Sequence, residues 1–378
     1  MSSPGSLTSP NAPDAQDDST GGLRRAAQRW SDVAKTRFLS RSRPPQPSST
    51  RRFWGVVSTE PIVLYHLGTD VSVFQALHES LERAFGDRDV WILRAPDWAE
   101  EKPKVARRWA RHARQMGERW PHHHYVFLCA TQTSTDRFLR ARAGAFALFS
   151  PHNALLDERF FRVDDAAEKT LDAVYTAQMT GWKRIELAER VERLAIATYN
   201  LDLEPGRLES LWDRFDEAAW VNFRDREWRR LSAEEMQALY ASAYAGLMLS
   251  ACEGGNYASC EYFLSGLPLV TTPSIGGRHV FYDDRFVKVV EPDPEAIAAA
   301  VRAFVADPPD PHLVRSATIE RMEAFRDAFR DLLGQIADEA GVPVTGREIW
   351  DRGYHNKLCS WRSVDDLVAL IEERSAEG

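Results

Sequence analysis

From about residue 53 onward this chain keeps one rhythm. Short apolar runs of strand length alternate with amphipathic stretches of helix length, and no hairpin signal separates them. Strands are expected at 62–67, 90–93, 125–130 and 146–149, with helices between them such as 104–119. Strands joined by helices rather than by tight turns run parallel, so the sheet must be covered on both faces. A Pro-containing segment at 150–161 ends the first series. A second follows, with strands at 171–175, 194–198, 219–223, 246–250, 268–271 and 286–290. Its helices are expected at 185–191, 207–215, 233–243, 258–264 and 294–305. A long helical region at 311–340 and a helix near 364–374 close the chain. The pattern spells two open, doubly wound α/β units in tandem. Such sheets bind ligands at the carboxyl ends of their strands, which puts the expected site in the cleft between the units.

The expected divisions are an arm and linker at 1–52, a short first domain at 53–160, a second domain at 161–340, and a tail at 341–378 that packs back on the first domain. The arm is a special case. Residues 1–22 are rich in Ser, Pro, Gly and Asp and read as disordered, and 42–50 reads as a linker. Between them the apolar residues of 23–39 recur at a helical period, with Arg24, Arg25, Arg29, Lys35, Arg37 and Arg41 on the other face. A basic amphipathic helix of this kind can lie on an anionic membrane surface, so peripheral contact through 23–41 is an expectation. Residues 1–52 hold nine Lys/Arg against four Asp/Glu. With a formal net charge of −8 overall, −13 remains on the rest. A body that acidic is unsuited to sequence-independent nucleic-acid binding. No apolar run reaches the length of a membrane-spanning helix. Four scattered cysteines without a CxxC pair indicate reduced thiols, and the expected location is cytoplasmic, peripheral at the inner face of the membrane.

The most informative stretch is 246–277. A buried strand ends near Ser250, and Glu253 sits on the strand-to-helix loop. Gly254 and Gly255 let a ligand approach the backbone with no Cβ in the way. The helix that opens near Ala258 offers free N–H groups suited to phosphate. Glu261 on its first turn brings a second carboxylate back towards the same loop. Gly266 caps that helix before Pro268, and the next strand ends in Gly276-Gly277.

The spacing Glu-x7-Glu, then Gly-x-Pro, a short strand and Gly-Gly resembles the donor-binding core of the retaining glycosyltransferases of family 4, the group 1 transferases. Lys183 after the strand at 171–175, the segment Pro151-His152-Asn153-x3-Asp157-x2-Phe160, and Asp293-Pro-Glu-Ala-Ile-Ala are similar to further parts of that pattern. The resemblance covers roughly residues 145–305, and the first domain only in architecture. It implies the GT-B fold, two facing Rossmann-like domains with parallel sheets. It implies transfer of a sugar from a nucleotide-diphosphate donor to a glycan, lipid-linked or small-molecule acceptor, with no metal and no further cofactor. Glu253 would bind donor-sugar hydroxyls and Glu261 the ribose hydroxyls. Backbone N–H groups over Gly255, Asn256 and Tyr257, with Gly254 beside them, would hold sugar and phosphate. Lys183 with Arg184 would neutralise the leaving diphosphate. Asn222 would touch the base, and Gly277 with Arg278 the phosphate.

Departures from the pattern are Gln178, where an arginine is usual, and Ala154 in place of a glycine in the linking segment. The histidine that the family carries on its first domain has no assigned counterpart, although His66 ends the first expected strand. His122-His123-His124 looks like a metal tract, but strand alternation would divide its side chains between two faces. Asp87-Arg88-Asp89 precedes a strand instead of ending one and is set aside as a metal motif. Two other readings remain beside the transferase: a degenerate module that binds nucleotide or glycan without turnover, and another GT-B reaction such as epimerisation.

Overall fold

The computed structural model describes residues 54–67, 71–97, 99–358 and 364–376. The basic segment 23–41 and Cys359 lie outside the described residues. The described chain forms two compact units. One comprises 54–156 together with 322–376, and the other is Asp157–Arg321.

The first unit is built on a five-stranded sheet ordered β1 (Trp54–Thr59), β2 (Ile62–His66), β3 (Val90–Arg94), β4 (His123–Cys129) and β5 (Phe146–Phe149). Strands β2 to β5 are mutually parallel, as their helical connections require. Alternate residues divide between two cores. Ile62, Leu64, Val90, Ile92, Tyr125 and Phe127 meet α1 (Val71–Phe85), α2 (Pro103–Arg119), α3 (Gln132–Ala141) and the last helix of the chain. Val63, Tyr65, Trp91, Leu93, Val126 and Leu128 meet Phe329, Leu332, Leu333, Ile336, Ile349 and Trp350 on the other face. The rhythm of the sequence missed β1. It pairs antiparallel with β2 across a turn at Glu60-Pro61, from Thr59↔Ile62 to Trp54↔His66. That turn carries none of the Gly or Asn residues that usually announce a hairpin.

The second unit has a six-stranded, all-parallel sheet. It contains β6 (Leu171–Gln178), β7 (Leu194–Tyr199), β8 (Ala219–Trp220), β11 (Ala243–Met248), β12 (Leu269–Thr271) and β13 (Val287–Val289), in the order β13-β12-β11-β6-β7-β8. The chain therefore grows outwards from β6 in one direction, then returns to β11 and grows in the other. The switch point lies between β6 and β11, where an open sheet has its natural crevice. Helices α4 (Arg207–Arg214), α5 (Ala233–Ala241), α6 (Tyr257–Leu264) and α7 (Pro294–Ala306) complete the unit. A single strand was expected at 219–223. Instead β8 is followed by a small ribbon, β9 (Phe223–Arg224) and β10 (Glu227–Trp228), turned by Asp225 and Arg226 at positive φ. The helix expected at 185–191 is a short 3-10 turn, Ile185–Ala188. The long helix α8 (Pro311–Glu339) carries the chain from the second unit back into the first, where α9 (Gly346–Gly353) and α10 (Val364–Ala376) follow. Thr345 and Glu348 form a reciprocal capping box at the start of α9.

Candidate functional site

The two loops that leave the switch point carry Lys183 and Glu253. After β6 the chain makes a 3-10 turn, Gly181–Lys183, and Arg184 closes it in the left-handed region at φ 51°. After β11 the chain passes Ser250 and enters the glycine pair. The two loops are tied together. Ala251 N–H donates to the Trp182 carbonyl at 3.0 Å, and the Tyr175 hydroxyl donates to the Lys183 carbonyl. A further tie fixes Glu253, whose N–H donates to Ile275 O at 2.9 Å beside the Cys252↔Ile275 bridge. Gly276 and Gly277 follow at φ 108° and 92°, backbone positions that glycine occupies without strain.

In this frame Lys183 Nζ forms an ion pair with Glu253 Oε1. Ser250 Oγ donates to Glu253 Oε2 at 2.6 Å, and Arg278 Nη1 stands 3.9 Å from the same oxygen. Burial alone would raise the Glu253 carboxyl; Lys183 and Arg278 outweigh it and hold the group below the usual carboxylate range. Burial would equally lower the Lys183 ammonium, but Glu253 more than compensates and keeps it protonated. The Tyr199 phenol at the end of β7 feels the charges of Lys183, Glu253 and Glu261 together.

The two arginines hold the frame. Arg278 is buried, and its guanidinium donates to Ser250 O at 3.0 Å, Thr271 Oγ1 at 3.0 Å and Thr272 O at 2.6 Å. Arg184 donates through Nε to Leu249 O and through Nη2 to Thr272 Oγ1, both at 2.6 Å. Burial pushes its guanidinium down to about 10. Both head groups thus brace the carboxyl ends of β11 and β12. Asn222 is likewise committed: its side chain accepts from Thr198 N–H at 3.1 Å and donates to Thr198 O, which continues the sheet edge.

Helix α6 opens with Asn256 as its N-cap, accepting from Ser259 N–H at 2.8 Å, and Tyr257 is its first residue. Gly254 and Gly255 are buried before it. Glu261 is buried on the first turns, and its Oε2 accepts from the Tyr240 hydroxyl at 3.2 Å.

No family model matches the chain, and no curated protein matches it. Solved structures do. Anabaena Alr3699/HepE, in complex with UDP and glucose, is 11% identical over 86% of this chain and 84% of its own, with a TM-score of 0.50. The fold is GT-B. Looser likenesses run to sucrose-phosphate synthase from Thermosynechococcus elongatus, at 14% identity, 71% and 76% coverage and a TM-score of 0.46. AviGT4, a glycosyltransferase of avilamycin A biosynthesis, is 18% identical over 68% and 86%, with a TM-score of 0.43.

In this GT-B chain, the structure gathers Lys183, Glu253 and Arg278 into one charged cluster, sets Glu261 on the neighbouring helix, and turns Arg184 and Asn222 onto backbone. Sequence reasoning missed Ser250, Tyr240 and Tyr175, which orient the charged residues. No motif marks a tyrosine that reaches across from another element. Among the described residues, no three His, Cys, Asp or Glu groups gather into a metal-binding set. The histidine tract divides as alternation requires: His123 is buried, while His122 and His124 turn to Asp89, at 3.7 and 2.7 Å. His66 is buried at the end of β2.

Proposed function

We propose that the protein is a glycosyltransferase whose donor, a nucleotide-diphosphate sugar, binds in the second unit at the β6/β11 switch point. The observation that carries this reading is the Lys183–Glu253 ion pair, set at the crevice of the parallel sheet and backed by Arg278. An ammonium at this place suits a leaving diphosphate. Transfer from a nucleotide sugar breaks the bond between the anomeric carbon and phosphate oxygen, and negative charge builds on that oxygen in the transition state. When the diphosphate takes Lys183, the Glu253 carboxylate is released to accept hydrogen bonds from the sugar hydroxyls. The N–H groups at the start of α6 face the same loop as the glycine pair, and Glu261, aimed by Tyr240, takes the ribose. Arg278 and Arg184 act through the backbone that they brace and are positioning residues. The family resemblance supports retention of anomeric configuration and a reaction without metal, because Lys183 and helix amides supply the positive charge. The acceptor falls to residues 53–160, and a glycan or other hydroxyl compound fits that role.

A panel of UDP, GDP, ADP and their sugars, read by thermal shift, tests the donor, since a ligand of the native state raises the midpoint by mass action. The matching nucleotide sugar should then be turned over by the native chain, with release of the free nucleotide, and Glu253→Ala should abolish that release. If no nucleotide sugar is transferred or hydrolysed by the native chain, the enzyme reading fails. One observation favours a module that binds without turnover. Gln178 replaces a cation, and Arg184 is committed to Leu249 and Thr272, so one lysine would face the diphosphate alone. Tight binding of a nucleotide sugar without turnover would establish that second reading.

A further inference from the structure

Helix α2 carries its charge on one side. Ala106, Trp109, Ala110 and His112 are buried against the sheet. At 3.6 residues per turn, Lys104, Arg107, Arg108, Arg111, Arg114 and Arg119 fall on the opposite arc, about 140° wide and about 22 Å long. All six are exposed. Glu118 is the one acid on that arc. Among the described residues, Lys104, Arg107, Arg108, Arg111 and Arg114 have no acidic partner, and Arg119 reaches only Glu79, at 3.7 Å. The packed neighbour α3 adds Arg140 and Arg142, both exposed. Like charges three and four residues apart repel, so this surface is self-repulsive until an external anion meets it.

We infer that this face of the first unit docks on an anionic lipid bilayer. The shape of the charge favours a flat partner. The cations form one straight strip, while the second unit holds 29 Asp/Glu against 19 Lys/Arg, a formal −10. A planar anionic surface meets such a strip along its whole length. The strip also lacks the exposed aromatic rings on which single-stranded nucleic acids stack, since Trp109 and Trp120 are buried. No helix among the described residues is long and apolar enough to cross a membrane, so the attachment is electrostatic and peripheral. A single weak anchor holds a protein only marginally, and the nine Lys/Arg of residues 1–52 supply a second basic element on the same chain.

Flotation of the full chain with vesicles tests this. At 0.1 M salt the protein should float with vesicles of 30% phosphatidylglycerol in phosphatidylcholine. It should not float with pure phosphatidylcholine, and it should be released at high salt, where screening shortens the reach of the charges from about 10 Å. The variant R107Q/R108Q/R111Q/R114Q should lose about a thousandfold in partition. A near-native melting temperature shows that it is folded; if it is not, R107Q/R111Q gives the same reading with a smaller loss. Wild-type partition by the folded helix variant overturns the inference, whether or not R24Q/R25Q/R29Q then abolishes binding. Equal affinity for zwitterionic vesicles also overturns it. Tighter retention on double-stranded DNA than on the anionic vesicles, at the same salt, would assign the strip to nucleic acid instead.

Discussion

Glu253 sits between two cations and one hydroxyl, so its removal has two separable effects. Glu253→Leu leaves Lys183 and Arg278 charged and buried, and should cost about 3–5 kcal/mol in stability. The pair Lys183→Met with Glu253→Leu removes both charges and should recover most of that loss in a denaturant titration, while nucleotide-sugar turnover stays absent. If turnover returns with stability, the ion pair is structural only. Tyr240→Phe is a gentler probe. It deletes the hydroxyl that donates to Glu261 at 3.2 Å, and should cost about 1 kcal/mol of stability. If Glu261 binds the donor, KM for the nucleotide sugar should rise several-fold while kcat holds. Glu253 and Glu261 were legible in the sequence because loop, glycine pair and helix start are local. Tyr240 was not, because it reaches Glu261 from α5, which a spacing of residues along one segment does not encode.

At the scale of elements, β11 and α6 touch through a missing side chain. A Cβ on Gly246 would lie 2.3 Å from the Tyr262 ring, and that tyrosine accepts from Thr176 N–H on β6. Gly246→Ala should therefore push α6 off the sheet, cost about 1–3 kcal/mol by thermal denaturation, and weaken nucleotide binding more than a remote destabilising change of equal size. Periodicity located the interior strands well because both of their faces are buried and the apolar run is continuous. It placed the edge strands β5 and β13 but missed β1 and the small ribbon. β1 turns on Glu60-Pro61, and the β9–β10 ribbon is four residues of strand around Asp225 and Arg226, too short to show a period. Arg184 and Arg278 show the same limit. Their place in the chain pointed to phosphate, but the carbonyls left open at two strand ends claim their guanidinium groups first.

Across the whole molecule, acid should act first on the first unit. His78 is buried with its Nδ1 2.7 Å from His123 Nδ1 and its Nε2 2.6 Å from the Tyr125 hydroxyl, which His112 also meets at 3.0 Å. Burial, then His123 and His112, pushes His78 down to about 3. Burial pushes His112 down to about 4, and burial with His124 and His122 does the same to His123. The ordinary value is 6.5, so the unfolded chain binds these protons first. Stability is fully present above about pH 6.5 and is lost as pH falls towards 4, at about 1.4 kcal/mol per pH unit for each histidine. Urea midpoints measured from pH 7 to pH 4.5 should fall steeply, and His112→Gln should flatten the fall. A flat profile in the native chain would refute the assignment.

Helix α8 begins in the second unit and ends in the first, and that connectivity sets an order of events during synthesis. The second unit is continuous in the chain, from 157 to 321, and has all its strands once that stretch has left the ribosome. The first unit begins earlier but finishes later. One face of its sheet waits for Phe329, Leu332, Ile336 and Trp350, which are made after the whole of the second unit. Until they arrive, a half-built sheet shows its apolar side to the cell, a state prone to association. A stop codon near 321 should therefore be more damaging to solubility than its distance from the charged cluster suggests, and nascent chains of that length should be the ones that chaperones hold.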